Sequence, residues 1–140
     1  MNAKFRELKV PGPIPNKLTQ PFWDAAAAGR YELQRCDACG EWVFYPRGHC
    51  PHCWSNRLSW HAASGHGVVK SYSVVHRPGH PAWMPIAPYA LGIVELAEGP
   101  SMLSLFVTHN PDELKVGMPV RVSFVRIGDF TLPAFAPAIN

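Results

Sequence analysis

The spacing of four cysteines constrains the fold of this 140-residue chain more than any other feature. The cysteines form two Cys-x-x-Cys pairs, and ten residues separate the first pair from the second. Each pair closes a tight turn that directs two thiolates to one point, and a hairpin of this length can bring the two turns together. Four thiolates at roughly 2.3 Å from one ion form a tetrahedral zinc site. We therefore predict one structural zinc per chain, with the ligands Cys36, Cys39, Cys50 and Cys53.

Other uses of the cysteines include disulfides, a redox motif, an iron centre and a mixed metal site. Two disulfides would need an oxidising compartment, yet the N-terminus lacks the apolar core of a signal peptide. A redox site would use one Cys-x-x-Cys motif in a thioredoxin-like context, whereas this chain has two motifs. Iron in a rubredoxin-like centre takes the same four ligands, and His52 is an alternative to one of the cysteines.

The predicted ligand set determines what the metal can do. A four-thiolate site has no open coordination position, so its ion cannot bind and activate water as catalytic zinc does. The metal would instead hold together a segment of about thirty residues, with an apparent binding energy on the order of 10 kcal/mol. Gly40 follows the first pair, where a turn favours positive φ, but Trp54 takes the same place after the second pair.

Fifteen prolines and eleven glycines favour short strands and tight turns over long helices. We predict a mainly β protein in three parts. These are an extended N-terminal arm over residues 1–17, a helix with a rubredoxin-like zinc ribbon over residues 18–62, and a five-stranded OB-fold barrel over residues 63–140.

The sequence also indicates where the individual elements lie. A short helix is predicted over residues 19–28, with Thr19 as its cap and Gly29 at its end. Strands are predicted at residues 30–34, 42–45 and 58–62 in the ribbon, and at 68–76, 89–96, 101–108, 119–127 and 132–135 in the barrel. In the strand at 119–127, alternation places Val120, Val122 and Phe124 on one face.

Five segments in this order resemble one known family. They are PFWDAAAAGRYELQRCDACG, FYPRGHCPHCWS, GHGVVKSYSVVHR, PYALGIVELAEG and VGMPVRVSF, within about residues 14–126. The chain resembles the DUF35 proteins, which are described as a rubredoxin-like zinc ribbon joined to an acyl-CoA-associated OB-fold. Trp54 departs from the family pattern, in which a small residue follows the second Cys-x-x-Cys.

The resemblance implies an accessory subunit. Members of this family commonly dock on thiolase-like enzymes through the zinc ribbon, with the OB-fold near the path of the CoA thioester. Relatives serve thiolases, acyltransferases and aldolases of lipid metabolism. We therefore expect a cytoplasmic, non-catalytic subunit of a hetero-oligomer, with a thiolase-like partner and acyl-CoA at the shared interface.

The inventory of side chains argues against catalysis by this chain alone. The predicted metal occupies every thiol, and the sequence holds no GxSxG, HExxH or phosphate-binding glycine motif. Glu95 and Glu98 fit a solvated hairpin edge better than a general acid–base pair. His61 and His66 lie at the junction of the two modules, where we interpret them as surface residues.

Aromatic and apolar side chains are the candidates for contacts with a partner or an acyl-CoA. The loop at residues 78–88 contains four prolines and presents Trp83, Met84 and Ile86 either as a rigid apolar ledge or as a cover on the barrel. Arg47 is a candidate for a CoA phosphate. The full candidate set is Phe22, Trp23, Arg47, Trp54, Trp83 and Met84.

A nucleic-acid-binding protein is the main alternative, because zinc ribbons and OB-folds both occur in that class and the isoelectric point is about 8.8. Residues 78–114 oppose it. They hold no Lys or Arg and four acidic residues, which gives a formal charge of −4 where an OB-fold would grip a strand. We therefore predict no nucleic-acid partner, and no run of residues is apolar and long enough to span a membrane.

Overall fold

The computed structural model describes residues 5–138, which form a small ribbon sheet and a closed barrel. Helix α1 (Gln20–Ala27) precedes a three-stranded antiparallel sheet of order β2-β1-β3, made of β1 (Glu32–Cys36), β2 (Trp42–Val43) and β3 (Leu58–Ala62). The barrel has the order β4-β5-β6-β8-β7 and consists of β4 (His66–Val75), β5 (Tyr89–Leu96), β6 (Ser101–Phe106), β7 (Pro119–Ile127) and β8 (Phe130–Pro137). Two 3-10 helices, Pro81–Ile86 and Pro111–Glu113, lie in the connections. The predicted ribbon and five-stranded OB-type barrel are confirmed.

The start of α1 differs from the prediction that Thr19 caps it. Thr19 has helical backbone angles and makes no capping hydrogen bond with its side chain. Asn16 instead organises the entry, because its Oδ1 accepts hydrogen bonds from the N–H groups of Leu18 and Thr19 at 2.9 and 3.0 Å. Phe22, Ala25 and Ala26 form the buried apolar face of the helix.

Strands β3, β5 and β7 have the predicted bounds, whereas the others shift for local reasons. Strand β1 starts two residues late, because the N–H of Arg30 still donates to the carbonyl of Ala25 at the helix end. Strand β4 starts at His66, two residues before the predicted start, since His66 and Gly67 pair with β7. Strand β8 is longer than predicted, because it pairs with β7 along its whole length.

Strand β7 is buried on both faces, although its alternating sequence predicts one. Val120 is buried in the barrel, with Val122 and Phe124 partly buried against the same cluster. Val125 and Ile127 are also buried, on the opposite face. Alternation in sequence reveals only the face that the barrel itself covers, and a second cover must come from elsewhere in the chain.

The N-terminal segment provides that second cover. Phe5, Leu8 and Val10 are buried and pack with Val125 and Ile127 in a second core cluster. Close contact continues at Gly12, where an added Cβ would lie 2.6 Å from the ring of Phe130. The division of the chain into three domains at residues 17/18 and 62/63 stays a prediction.

The ribbon and the barrel share the first core cluster. Phe22, Tyr31 and Leu33 pack with Phe106 and Phe135 of the barrel. The Tyr31 hydroxyl donates to Met102 Sδ at 2.8 Å, and its ring meets Phe135 edge to face. The metal-binding part is therefore packed directly against the barrel. In residues 5–138, no helix combines the length and apolarity needed to cross a bilayer.

We predict that stability decreases at alkaline pH because of Tyr31. Burial raises the pKa of its hydroxyl above the usual range, and the charge of Glu98 adds to the shift. Above about pH 10 the unfolded chain loses this proton while the folded chain keeps it, so the free energy of unfolding decreases as pH rises. Tyr31→Phe should weaken that decrease in urea unfolding measured between pH 8 and 11.

The effect should be partial, because burial also raises the pKa of Tyr89. Tyr45→Phe, which removes an exposed hydroxyl, is the matched control. An alkaline slope that is the same in Tyr31→Phe and in the wild type would contradict the prediction.

Candidate metal centre and apolar groove

The four cysteines lie at one end of the ribbon with the geometry of a tetrahedral metal site. Their Sγ atoms are all within 4.8 Å of one another. The Sγ atoms of Cys36 and Cys53 are 3.5 Å apart, and those of Cys39 and Cys50 are 3.7 Å apart. A regular tetrahedron with zinc–sulfur bonds of about 2.3 Å has edges of roughly 3.8 Å. The residues fit one structural zinc, as predicted.

His52 is not part of this group. The four ligand atoms that converge are all sulfurs. His52 instead contributes its backbone N–H, which donates to Cys50 Sγ at 3.3 Å. The alternative in which His52 replaces a cysteine is therefore wrong. Iron would bind the same four sulfurs.

Two turns of matching geometry hold the sulfurs, and we call them the first knuckle (residues 36–40) and the second knuckle (residues 50–54). The N–H of Gly40 donates to the carbonyl of Cys36 at 2.9 Å, and the N–H of Trp54 donates to that of Cys50 at 2.8 Å. Both residues have positive φ, 80° for Gly40 and 66° for Trp54. The backbone N–H groups of Cys39 and Ala38 lower the pKa of the Cys36 thiol to about 6, whereas desolvation and the neighbouring thiols raise the pKa of the Cys39 and Cys53 thiols.

A polar network braces the first knuckle. The Ser59 hydroxyl donates to Asp37 Oδ1 at 2.7 Å and lies 2.9 Å from His61 Nε2. The His61 ring meets Trp42 edge to face, and the Arg35 guanidinium lies over the Trp42 ring at 5.4 Å. Serine, histidine and aspartate meet here, but the carboxylate accepts from the serine and not from the histidine, which is not the order of a nucleophilic triad.

We predict that Cys36→Ser abolishes the binding of one zinc ion per chain and unfolds the ribbon. The reason is that the segment lacks a core large enough to fold without the metal. Zinc content by atomic emission and thermal unfolding by circular dichroism would test this. His52→Ala is the matched control and should keep full zinc content. A Cys36→Ser protein that folds normally without metal would contradict the structural role.

An apolar groove lies where the barrel is least closed. Strands β6 and β8 run parallel and pair only at Phe106 and Phe135. Beside the opening are two adjoining cavities of about 260 and 350 Å³, which share Leu103, Ser104, Leu105 and Leu132. We call these cavities together the β6 groove. Phe22, Trp23, Phe44 and Tyr45 line one end, and Trp83, Tyr89 and Leu91 line the other.

The structure brings three of the contact candidates to this groove. Phe22 is buried and forms part of one wall, Trp23 is half-buried beside it, and Trp83 is half-buried at the opposite end. Trp83 also packs in the second core cluster, and its ring lies 5.8 Å from that of Tyr89. The loop at residues 78–88 therefore covers the barrel and contributes Trp83 to one wall of the groove, whereas its contact with a partner or an acyl chain stays a prediction.

The other candidates lie outside the groove. Met84 is half exposed, and Trp54 is 77% exposed on the second knuckle. Arg47 is exposed, and the buried side chain of Gln34 holds its backbone through the N–H and the carbonyl at 2.8 and 3.0 Å. The prediction that the loop presents Ile86 is wrong, because Ile86 is buried as the anchor of the 3-10 helix.

The sequence analysis missed Leu103, Leu105 and Leu132 as groove residues. The alternation of a strand gives one signal for Leu103, because it places this apolar side chain on the outward face, between Met102 and Ser104. In the structure Met102 and Ser104 are buried and Leu103 is 65% exposed. Nothing in the sequence indicates the parallel approach of β6 and β8. Glu98 is also more than a solvated residue at the hairpin edge, since its Oε2 accepts a hydrogen bond from the Ser64 N–H at 2.8 Å.

Two family models match the chain in succession. Residues 23–59 match the model described as "ChsH2, rubredoxin-like zinc ribbon domain", and residues 60–125 match "ChsH2, C-terminal OB-fold domain". The boundary between the two models falls within β3. Together the models cover both the metal centre and most of the barrel.

Curated proteins and solved structures also resemble the chain. A "Probable enoyl-CoA hydratase alpha subunit" of Thermomonospora curvata is 38% identical over 130 residues, which are 92% of this chain and 40% of that protein. A "DUF35 domain-containing scaffold protein" of Methanothermobacter thermautotrophicus is 37% identical over 101 residues, 70% of this chain and 75% of that protein. A chain of the "Ltp2-ChsH2(DUF35) aldolase" superimposes with a TM-score of 0.82 at 37% identity, covering 91% of this chain and all of that one. This chain thus spans less than half the length of the hydratase relative.

Proposed function

Because this chain belongs to the DUF35 family, we propose that it is a non-catalytic subunit that docks on a thiolase-like acyl-CoA enzyme and helps to handle the acyl-CoA thioester. The observation that carries this proposal is the β6 groove, an apolar groove in a chain whose metal centre has no open coordination position. The names of two relatives, a scaffold protein and an aldolase chain, support the same role.

Several groups with catalytic potential are engaged in other ways, which supports a non-catalytic role. The four thiols converge on one metal site. The Ser59 hydroxyl donates to Asp37, and among the described residues no carboxylate accepts from His61, so the order of a catalytic triad is missing. Glu98 binds the backbone of Ser64 with one oxygen, and the other oxygen is buried without a hydrogen-bond partner in the described part of the chain. The nucleophile and the base would belong to the partner.

The groove offers chemistry that suits an acyl-CoA thioester. Its walls are mainly aromatic and aliphatic, as an acyl chain requires. The N–H of Val107 donates to the carbonyl of Phe135 across the barrel opening. By the two-residue alternation of a strand, the backbone groups of Leu103 and Leu105 face the same side as those of Val107, and the Leu105 carbonyl there also accepts from the Ser104 hydroxyl at 2.9 Å. An extended pantetheine arm carries two amides that could pair with them.

The groove also distinguishes this proposal from nucleic-acid binding. Neither of its two cavities is lined by lysine or arginine. A site that grips a nucleic-acid strand interleaves such cations with aromatic rings. Thiolates that bind a metal and form no disulfide suit a reducing compartment, so we propose that the complex is cytoplasmic.

We expect this chain to co-purify with the thiolase-like protein encoded nearest to it. Docking on that enzyme is the core of the proposal, and a stable subunit should remain bound through gel filtration. Co-expression with an affinity tag on one partner, followed by gel filtration, would test it. A thiolase-like protein from an unrelated gene cluster is the control. If the two proteins elute separately and neither changes the activity or solubility of the other, the proposal fails.

We also expect Leu103→Asp to weaken binding of octanoyl-CoA to the complex by about tenfold or more. A carboxylate in the groove would have to lose water without gaining a partner when the acyl chain enters. Titration calorimetry with octanoyl-CoA would measure the change. Leu103 is already 65% exposed, so the substitution should leave the fold intact.

Val116→Asp is the matched control for this experiment. Val116 is 69% exposed and lines neither cavity of the groove, so its variant adds the same charge elsewhere. Equal affinities in the two variants would show that the acyl chain binds outside the β6 groove.

A further inference from the structure

We propose that Trp54 is the anchor by which the second knuckle docks on the partner enzyme, and that its indole enters an apolar pocket with an acidic rim. This inference rests on the proposed function and names the part of the surface that makes the contact. Three independent observations support it: the backbone conformation of Trp54, the unequal engagement of the two knuckles, and the distribution of charge.

Trp54 is both strained and exposed. Its φ of 66° lies in the left-handed region, where it is the one non-glycine residue among residues 5–138. For an L-residue this conformation costs roughly 1–2 kcal/mol. Within the same residues, the indole belongs to no core cluster and to no close pair of rings, and it is 77% exposed. No packing of the side chain within the described residues therefore offsets the strain of its backbone.

Gly40 shows what the fold alone would select at this position. It occupies the equivalent place in the first knuckle, with φ of 80° and the same backbone hydrogen bond to the first cysteine of its pair. A glycine adopts this conformation without strain. A tryptophan in its place therefore weakens the turn, and residues held in strained conformations cluster at functional sites.

The two knuckles differ in how their side chains are used. In the first, Asp37 and the carbonyl of Gly40 bind Ser59 and Arg35. In the second, among the described residues, His52 and Trp54 make no hydrogen bond through their side chains. The first knuckle is braced against its own sheet, so the second is the one that is free to meet another molecule.

Charge around the second knuckle indicates the chemistry of the partner. After the exposed Glu41, residues 42–60 contain no Asp or Glu, and two cationic residues fall in this stretch, Arg47 and Arg57. Arg47, His49, His52 and Arg57 are all exposed close in sequence to Trp54. Asp37 is close to Arg57, because its backbone N–H donates to the carbonyl of Arg57. The carboxylate of Asp37, however, already accepts a hydrogen bond from Ser59. An acidic rim on the partner would complement this surface.

A protein partner explains the surface better than a nucleic acid does. Tryptophan flanked by arginine is the composition of protein–protein hot spots, in which one aromatic residue fills a pocket. A surface that binds a single strand without sequence preference instead presents several rings on which successive bases stack. No ring pairs with Trp54 in the part of the chain that the structure describes, so a lone anchor fits the first case.

Trp54→Gly separates this role from a structural one. The substitution removes the strain, so the zinc-loaded variant should unfold at a higher temperature than the wild type. It also removes the anchor, so the dissociation constant of its complex with the thiolase-like partner should rise by about 30-fold or more. Differential scanning calorimetry and surface plasmon resonance would give the two values. Val116→Gly, at another exposed apolar residue, should leave the affinity unchanged.

Each outcome decides the matter. If Trp54→Gly binds as tightly as the wild type, or unfolds at a lower temperature, this inference is wrong although the proposed function stands. If the wild type itself does not bind the partner, the proposed function fails and the inference fails with it. Binding of single-stranded RNA that is lost in Trp54→Gly would also overturn it, because the surface would then serve a different ligand.

Discussion

Convergence of four thiolates on one ion is the constraint on which the ribbon depends. Strand β2 has only two residues, and the sheet that contains it has three short strands, which is near the lower limit for a stable sheet. The chain between the two knuckles also carries Phe44 and Tyr45, which line one end of the β6 groove. Gln34 fixes the backbone of Arg47, which lies in the chain between Tyr45 and the second knuckle. By ordering this segment, the metal helps to position one end of the groove, although it does not touch the groove.

The shared core extends this constraint to the barrel. Phe22 belongs to the core cluster, lines the groove and lies 5.9 Å from the ring of Phe44 in the ribbon. Tyr31 continues the contact through Met102 and Phe135. Ribbon and barrel are therefore joined by packing as well as by chain connection. Docking through the ribbon would fix the orientation of the groove, which is what a subunit that presents a thioester to its partner requires.

The sequence predicts the features that depend on residues close together in the chain, and it does not predict those that depend on residues far apart. The cysteine spacing, the glycine turns and the alternation in β7 are local, and they predicted the metal site and, to within about two residues at each end, the barrel strands. The burial of Val125, the cover provided by Phe5 and Leu8, and the parallel approach of β6 and β8 depend on residues far apart in the chain. Thr19 failed as a cap for a different reason, because Asn16 offered the backbone a competing turn.

Trp54 shows how a stable metal centre makes room for a strained side chain. The left-handed conformation costs roughly 1–2 kcal/mol, whereas a structural zinc contributes on the order of 10 kcal/mol of apparent binding energy. A knuckle held by the ion therefore tolerates a tryptophan where an isolated turn would require glycine. The binding energy of the ion exceeds the strain, so this position of the second knuckle does not need a glycine. The exposed indole is then free to contact a partner. The metal takes no part in chemistry, yet it permits the most exposed aromatic side chain on the ribbon, which is 77% exposed.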